Sequence, residues 1–309
     1  MATSFSSRSR DTGGDTSDDD RRHRLAGVTT EPAVDARIAR LIAPLRTAPG
    51  SAAVLCDVDG TLAPIVADPQ SAAVPAQTRD VLRAVARRYA LVACVSGRRA
   101  IEARRLVRID ELTYAGNHGL ELLAPGEQEP IVEEAPGEGQ LTARDFVREL
   151  DGVWLGEAGL RLEDKGPIQA LHWRGAADFD AAERRADEIA DAARKSGLEP
   201  RWGRKVLEVR PAAGVDKGTA VERLLSTTRI DRALFAGDDR TDLDAFRALR
   251  SLVASGGLAA AVNIGIASPE APAELSREAD AVVGGTEDFV RVLEALAEPT
   301  AGVTDAAPG

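Results

Sequence analysis

The feature that most constrains this chain is a five-residue apolar run, Ala52–Cys56, that stops at Asp57-Val58-Asp59-Gly60-Thr61. An apolar run without polar alternation reads as a strand buried on both faces, the kind found in parallel sheets. Two carboxylates one residue apart then sit at the C-terminal end of that strand, where open parallel sheets bind ligands. Acids so placed are costly unless something cationic offsets them. A divalent metal is the natural candidate, and a metal with an acid pair at a strand end points to phosphoryl chemistry.

Strand and helix patterns alternate beyond that run. A helix over 78–88 places Val81, Leu82 and Val85, followed by Tyr89, on one face; Leu91–Val95 reads as a second buried strand. A short helix follows Gly97, then a third strand over 112–115. The succession predicts an α/β fold: a mainly parallel sheet flanked by helices with right-handed crossovers. The Pro-, Gly- and Glu-rich stretch 124–140 is a boundary. After it come a helix, strands over 159–162 and 168–173, a helix carrying Phe179, Ala182, Ala186, Ile189 and Ala193, and a strand over 206–209. This reads as a small inserted α+β module. Past Pro211 the alternation resumes: helix from Asp216, strand 233–236, helix from Thr241, strand Ala260–Ile266, helix from Thr286.

The expected organisation is therefore a core of residues 51–124 and 212–298, an insert of 125–211 and a flexible tail of 299–309. Residues 1–30 are poor in apolar side chains and read as a disordered extension. Weak helical spacing from Val34 is expected to stop near Pro44, with the ordered body beginning near Ser51. A net charge of -11 argues against nucleic acid or an anionic membrane as partner. No segment has the apolar length of a membrane helix and no apolar signal core opens the chain, so a cytoplasmic location is expected. Cys56 and Cys94, on neighbouring strands, read as reduced core thiols, and three histidines give a zinc site little support.

Four signals carry chemistry. Asp57 is placed to attack phosphorus, and Asp59 to protonate the leaving oxygen and then deprotonate water. Ser96, in Ser96-Gly97-Arg98 after the second strand, can hold phosphate oxygens. Lys217 opens a helix and can neutralise phosphoryl charge. Asp238, at a second acid-rich strand end, is a candidate Mg²⁺ ligand together with Asp57. Of its neighbours, Asp244 is expected to cap the following helix, and Asp239 and Asp242 to support the site.

In this order the four signals resemble the motifs of haloacid-dehalogenase-like phosphatases. That resemblance implies a Rossmann-like core, a bound Mg²⁺, a phospho-aspartate intermediate and an insert acting as a substrate-covering cap. The chain is more specifically similar to the trehalose-6-phosphate phosphatases, through DVDGTLAPI (57–65), VSGR (95–98), AGNHGL (115–120), EDKG (163–166), LHWR (171–174), EVRP (208–211) and GDDRTDLDAF (237–246). Val58 stands where that family often has Tyr. The resemblance implies that Arg98, Asn117, His118 and Gly119 line the core side of a sugar pocket. It places Glu163, Lys165, Arg174, Lys205 (or Arg204) and Glu208 on the cap side. It further implies a metal held by Asp57, Asp238 and the Asp59 carbonyl, trehalose 6-phosphate as substrate, and a functional link to a trehalose-6-phosphate synthase. Trp154, Trp173 and Trp202 read as packing residues of the cap, and His172 as a structural neighbour of the site. Another phosphosugar, such as sucrose 6-phosphate, or a silent sugar-phosphate-binding regulator remain the alternatives.

Overall fold

The first five strands are β1 (Ala52–Cys56), β2 (Leu91–Val95), β3 (Thr113–Gly116), β4 (Glu121–Leu123) and β5 (Ile131–Val132). The next four are β6 (Arg161–Asp164), β7 (Gln169–His172), β8 (Leu198–Gly203) and β9 (Val206–Pro211). The last three are β10 (Arg232–Gly237), β11 (Ala260–Ile266) and β12 (Ala281–Val283). The computed structural model describes residues 35–66, 71–132, 142–150, 152–203, 205–212, 214–268 and 271–299. The expected extension 1–30 lies outside these residues, as do Arg204, the Trp154 side chain and all of the expected tail but residue 299.

Among the described residues the strands form two sheets. The larger has the order β12-β11-β10-β1-β2-β3-β4-β5, and the smaller β6-β7-β9-β8. From β12 to β3 every pairing is parallel; β4 and β5 continue the sheet antiparallel. β1 is fully buried because both of its faces are covered. Ala52, Val54 and Cys56 join one apolar cluster with the helices Ala36–Thr47, Ala76–Ala86 and Thr286–Ala297. Ala53 and Leu55 join a second with Lys217–Ser226 and Asp242–Ala254. Cys56 pairs with Cys94 on β2 and with Ala236 on β10, so three neighbouring strands end together. Both cysteines are buried and free.

The smaller sheet has a core of its own. Leu171, Leu207 and Val209 pack with Ala182, Ala186, Ile189 and Ala193 of the helix Phe179–Lys195. Side chains alternate across each strand. The opposite face therefore carries Glu163, His172, Glu199, Arg201, Glu208 and Arg210.

Three expectations change. The first helix runs through Pro44 to Thr47. Pro44 is exposed, while Ile38, Ile42 and Leu45 are buried against the sheet, and that burial outweighs one missing N–H. The ordered body thus starts well before Ser51. β8 escapes the sequence reading because Pro200 interrupts it; it is an edge strand, where a proline is tolerated. β4 and β5 are too short to show a period. No helix among the described residues is long and apolar enough to cross a membrane.

Candidate active site

Asp57 follows β1, Ser96 follows β2 and Asp238 follows β10, so the shared end of three parallel strands gathers them. Two glycines let the loops touch. Gly60 has φ 84°, and a Cβ there would come within 2.2 Å of Asp238 Oδ2. A Cβ on Gly237 would come equally close to the Asp242 carboxylate. Lys217 reaches the cluster from the start of its helix, which the Asp216–Thr219 capping box fixes. Its Nζ donates to Asp57 Oδ1 at 2.8 Å and to Asp242 Oδ1 at 2.6 Å.

Asp57, Lys217, Asp238 and Asp242 are all nearly sealed from water. Burial, together with the negative neighbours Asp238, Asp239 and Asp59, lifts Asp57 to about 8 despite Lys217. Burial and the charges of Asp242 and Asp239 lift Asp238 to about 8 as well. Burial would lower Lys217, but Asp242 and Asp57 more than offset it and hold the ammonium charged well above its usual range. The acids therefore outnumber the local cation. Oxygens of Asp57, Asp238 and Asp242 lie within 4.8 Å of one another. Asp242 is committed to Lys217 and to the backbone N–H groups of Asp238 and Asp239, each 2.9 Å away. That leaves Asp57 and Asp238 as a mutually repelling oxygen pair of the kind that suits a hard divalent cation.

Asp239 performs the capping expected of Asp244. Its Oδ1 accepts from Thr241 N at 2.7 Å and from Asp242 N at 3.2 Å. The Asp244 carboxylate instead faces Arg247 and Arg201. This corrects the sequence reading: the helix starts at Asp242, and the first acid after Asp238 reaches the N–H groups of Thr241 and Asp242.

A cleft of about 440 Å³ lies over these strand ends. Its floor includes Asp57, Asp59, Ser96, Arg98 and Lys217; its roof includes Glu163, Lys165, His172, Arg174 and Glu208, with His118 at the side. Arg98 grips Asp59 with two bonds, Nε to Oδ2 at 2.6 Å and Nη2 to Oδ1 at 2.7 Å. Ser96 is buried, and its Oγ accepts from Arg98 N at 3.1 Å. Lys165 Nζ donates to Glu208 Oε1 at 2.9 Å, and His118 Nε2 lies 3.5 Å from Glu208 Oε2. Burial would raise Glu208, but His118 and Lys165 hold it far below the usual carboxylate range. Glu163 bonds to His172 Nε2 at 2.6 Å. Arg174 is exposed at the cleft wall.

Three of the expected sugar-side residues sit elsewhere. Asn117 is fully buried beneath the cleft; its Nδ2 donates to Glu121 Oε1 at 3.0 Å and to the Lys165 carbonyl at 2.8 Å. Gly119, with φ 113°, lets this turn pack on the Lys217 helix, where a Cβ would meet Ala220 at 2.7 Å. The structure does not bring Lys205 to the cleft: its ammonium lies 3.7 Å from the centre of the Phe179 ring. Sequence reasoning missed the Lys217–Asp242 bond, Glu121, and the Arg201–Glu199–Arg210 group. The last of these could have been found by pairing 198–203 with 206–211, which sets Arg201 opposite Glu208.

The sequence matches the family model for trehalose-phosphatase over residues 55–277, more than half of the chain. The chain belongs to the trehalose-phosphatase family. It is 36% identical over 232 residues to "Probable trehalose-phosphate phosphatase 9" of Oryza sativa subsp. japonica. It is 34% identical over 215 residues to the trehalose 6-phosphate phosphatase RA3 of Zea mays. The two matches cover 64% and 63% of this chain, and 59% and 58% of the relatives' own length. The C-terminal domain of the C. albicans trehalose-6-phosphate phosphatase shares the fold, with a TM-score of 0.64 at 21% identity, over 86% of this chain and 98% of that one.

Proposed function

We propose that this chain is a Mg²⁺-dependent phosphatase that hydrolyses trehalose 6-phosphate to trehalose and phosphate through a phospho-aspartate on Asp57. The observation that carries this reading is the pairing of floor and roof. A buried Asp57, held by Lys217, opens into a cleft whose other wall offers Glu163, Lys165, Arg174 and Glu208 to a polyhydroxylated ligand.

Asp57, Asp238 and the Asp59 carbonyl would hold the metal, which when bound supplies positive charge at a phosphate oxygen. Lys217 binds one Asp57 oxygen and leaves the other to attack phosphorus in line. Ser96 and Lys217 hold the equatorial oxygens, over which charge spreads. Asp59 protonates the sugar oxygen as it leaves, then takes a proton from the water that cleaves the acyl phosphate. Arg98 grips Asp59, so that ion pair opens before Asp59 serves the leaving oxygen, with substrate oxygens replacing Asp59 as partner of Arg98. The inserted module that carries β6 to β9 acts as the cap that excludes water. The reading extends to a cytoplasmic location and a functional link to a trehalose-6-phosphate synthase.

Phosphate release tests it, with trehalose 6-phosphate, sucrose 6-phosphate and glucose 6-phosphate, with and without Mg²⁺, and Asp57→Asn as control. Mg²⁺-dependent preference for the first, lost in the variant, supports the proposal. Preference for another sugar phosphate keeps the chemistry and discards the substrate; release from none overturns both.

A further inference from the structure

Glu163, Ala170, Glu208 and Arg201 are cross-strand partners in that order, on β6, β7, β9 and β8. They make one row across the cleft face of the small sheet. Arg201 ends the row on the edge strand and lines the cleft. Its Nε donates to Glu199 Oε1 at 3.1 Å, and its Nη1 lies 3.7 Å from Asp244 Oδ2, on the core helix Asp242–Ala254. Asp244 is free for this contact because Asp239 caps that helix instead.

The pair belongs to a chain of alternating charges. It runs Arg210–Glu199–Arg201–Asp244–Arg247–Glu278, from the interior of the small sheet to the surface of the core. An isolated, partly exposed ion pair contributes little, whereas a network fixes its members in place. Among the described residues, polar contacts that also join the small sheet to the core are Asn117 Nδ2 to the Lys165 carbonyl, and His118 to Glu208. Lys165 sits at the turn between β6 and β7, so without Arg201 the β8 edge would lose its ion pair to the core.

We infer that Arg201 is a positioning residue that holds the roof of the cleft over the catalytic strand ends through its ion pair with Asp244. The inference rests on the proposed reading of the cleft as the trehalose 6-phosphate site. With the pair broken, the roof sits farther from the floor. A substrate that needs both walls then binds less well, while a small aryl phosphate that needs only the floor does not.

The test is a double-mutant cycle of Arg201→Gln and Asp244→Asn, with Arg201→Lys as the charge-keeping variant. KM and kcat are measured for trehalose 6-phosphate and p-nitrophenyl phosphate, and the radius of gyration of the substrate-free protein by small-angle scattering. Each single loss should raise KM for trehalose 6-phosphate about fivefold and leave kcat within about twofold. The double variant should be no worse than either single, and Arg201→Lys should stay nearer the parent. Turnover of p-nitrophenyl phosphate should hold or rise, and the radius should grow in the single variants. Additive losses, equal losses on both substrates, or an unchanged radius would each overturn the inference. If the parent protein cleaves p-nitrophenyl phosphate but not trehalose 6-phosphate, the proposed substrate fails, and the scattering cycle alone decides whether the pair holds the roof.

Discussion

At and beneath the floor of the cleft Asp57, Lys217, Asp238 and Asp242 are shut away from water and bonded or opposed to one another. In the roof Glu163, His172 and Arg201 keep a quarter or more of their side chains exposed, and each has a partner on its own sheet. Both regions are charge networks, but they answer to different physics. A charge removed from the floor leaves buried neighbours without compensation, and little water can replace it. A charge removed from the roof is largely replaced by solvent. The floor should therefore respond to substitution through stability and catalytic rate together, and these exposed members of the roof through binding alone.

The largest effect should come from Asp57→Asn. Loss of the proposed nucleophile should lower kcat roughly 10⁴-fold or more. Because Asp57 is pushed up by burial and by the acids around it, the neutral amide should also stabilise the metal-free protein. Phosphate release and thermal unfolding in chelator check the two halves; turnover near that of the parent would remove Asp57 from the mechanism. Lys217→Met should come next and act in the opposite sense on stability. It strands Asp57 and Asp242, and should cost about 3–5 kcal/mol in denaturant unfolding. A loss below about 1 kcal/mol, the range of exposed pairs, would erase the distinction between floor and roof.

The same distinction governs what could be read from sequence. The floor was legible because sheet topology does the gathering. Residues that follow buried parallel strands meet at one edge, so Asp57, Ser96 and Asp238 could be placed together from strings alone. The roof was legible only by resemblance, because its members meet through antiparallel register. Arg201 faces Glu208 only once β8 is recognised, and Pro200 hides that strand. Asn117 shows a third case. It lies within a recognisable string, yet the fold buries it under the turn that carries Lys165, where it supports the cleft from below. Asp244 differs from its expected role because Asp239, five residues earlier, reaches the N–H groups at the helix start, which no spacing rule resolves.

Acidity separates the regions by sign. In the floor, Asp57 and Asp238 move up from an ordinary carboxylate value to about 8. Between roughly pH 4 and 8 the folded state then binds more protons than the unfolded chain, so stability falls as pH rises through that window. In the roof, Glu163 and Glu208 are held below their usual range. Their contribution is complete above the ordinary carboxylate range and is lost only as pH falls below it. The metal-free protein should therefore melt at lower temperature at pH 8.5 than at pH 5.5, and Mg²⁺ should narrow the gap. A melting temperature that rises over this interval would mean that the floor acids are ionised throughout.

The smallest effect should come from the two faces of the small sheet. Glu208 and Trp202 lie on neighbouring strands, and both border the cleft. Register puts Glu208 opposite Arg201 on the cleft face, but Trp202 opposite Leu207 on the face that packs the helix Phe179–Lys195. Trp202 also meets Trp173 edge to face, with ring centres 5.7 Å apart. Glu208→Gln should raise KM for trehalose 6-phosphate about tenfold, the equivalent of one charge-assisted hydrogen bond, and also lower stability, because Lys165 and His118 lose a largely buried carboxylate partner. Trp202→Ala should act on stability alone, costing about 1 kcal/mol through lost edge-to-face packing. Its KM should stay within about twofold of the parent, a change too small for a lost sugar contact. If Trp202→Ala instead raised KM as Glu208→Gln does, the indole would be stacking on sugar, and both faces of β8 would serve the substrate.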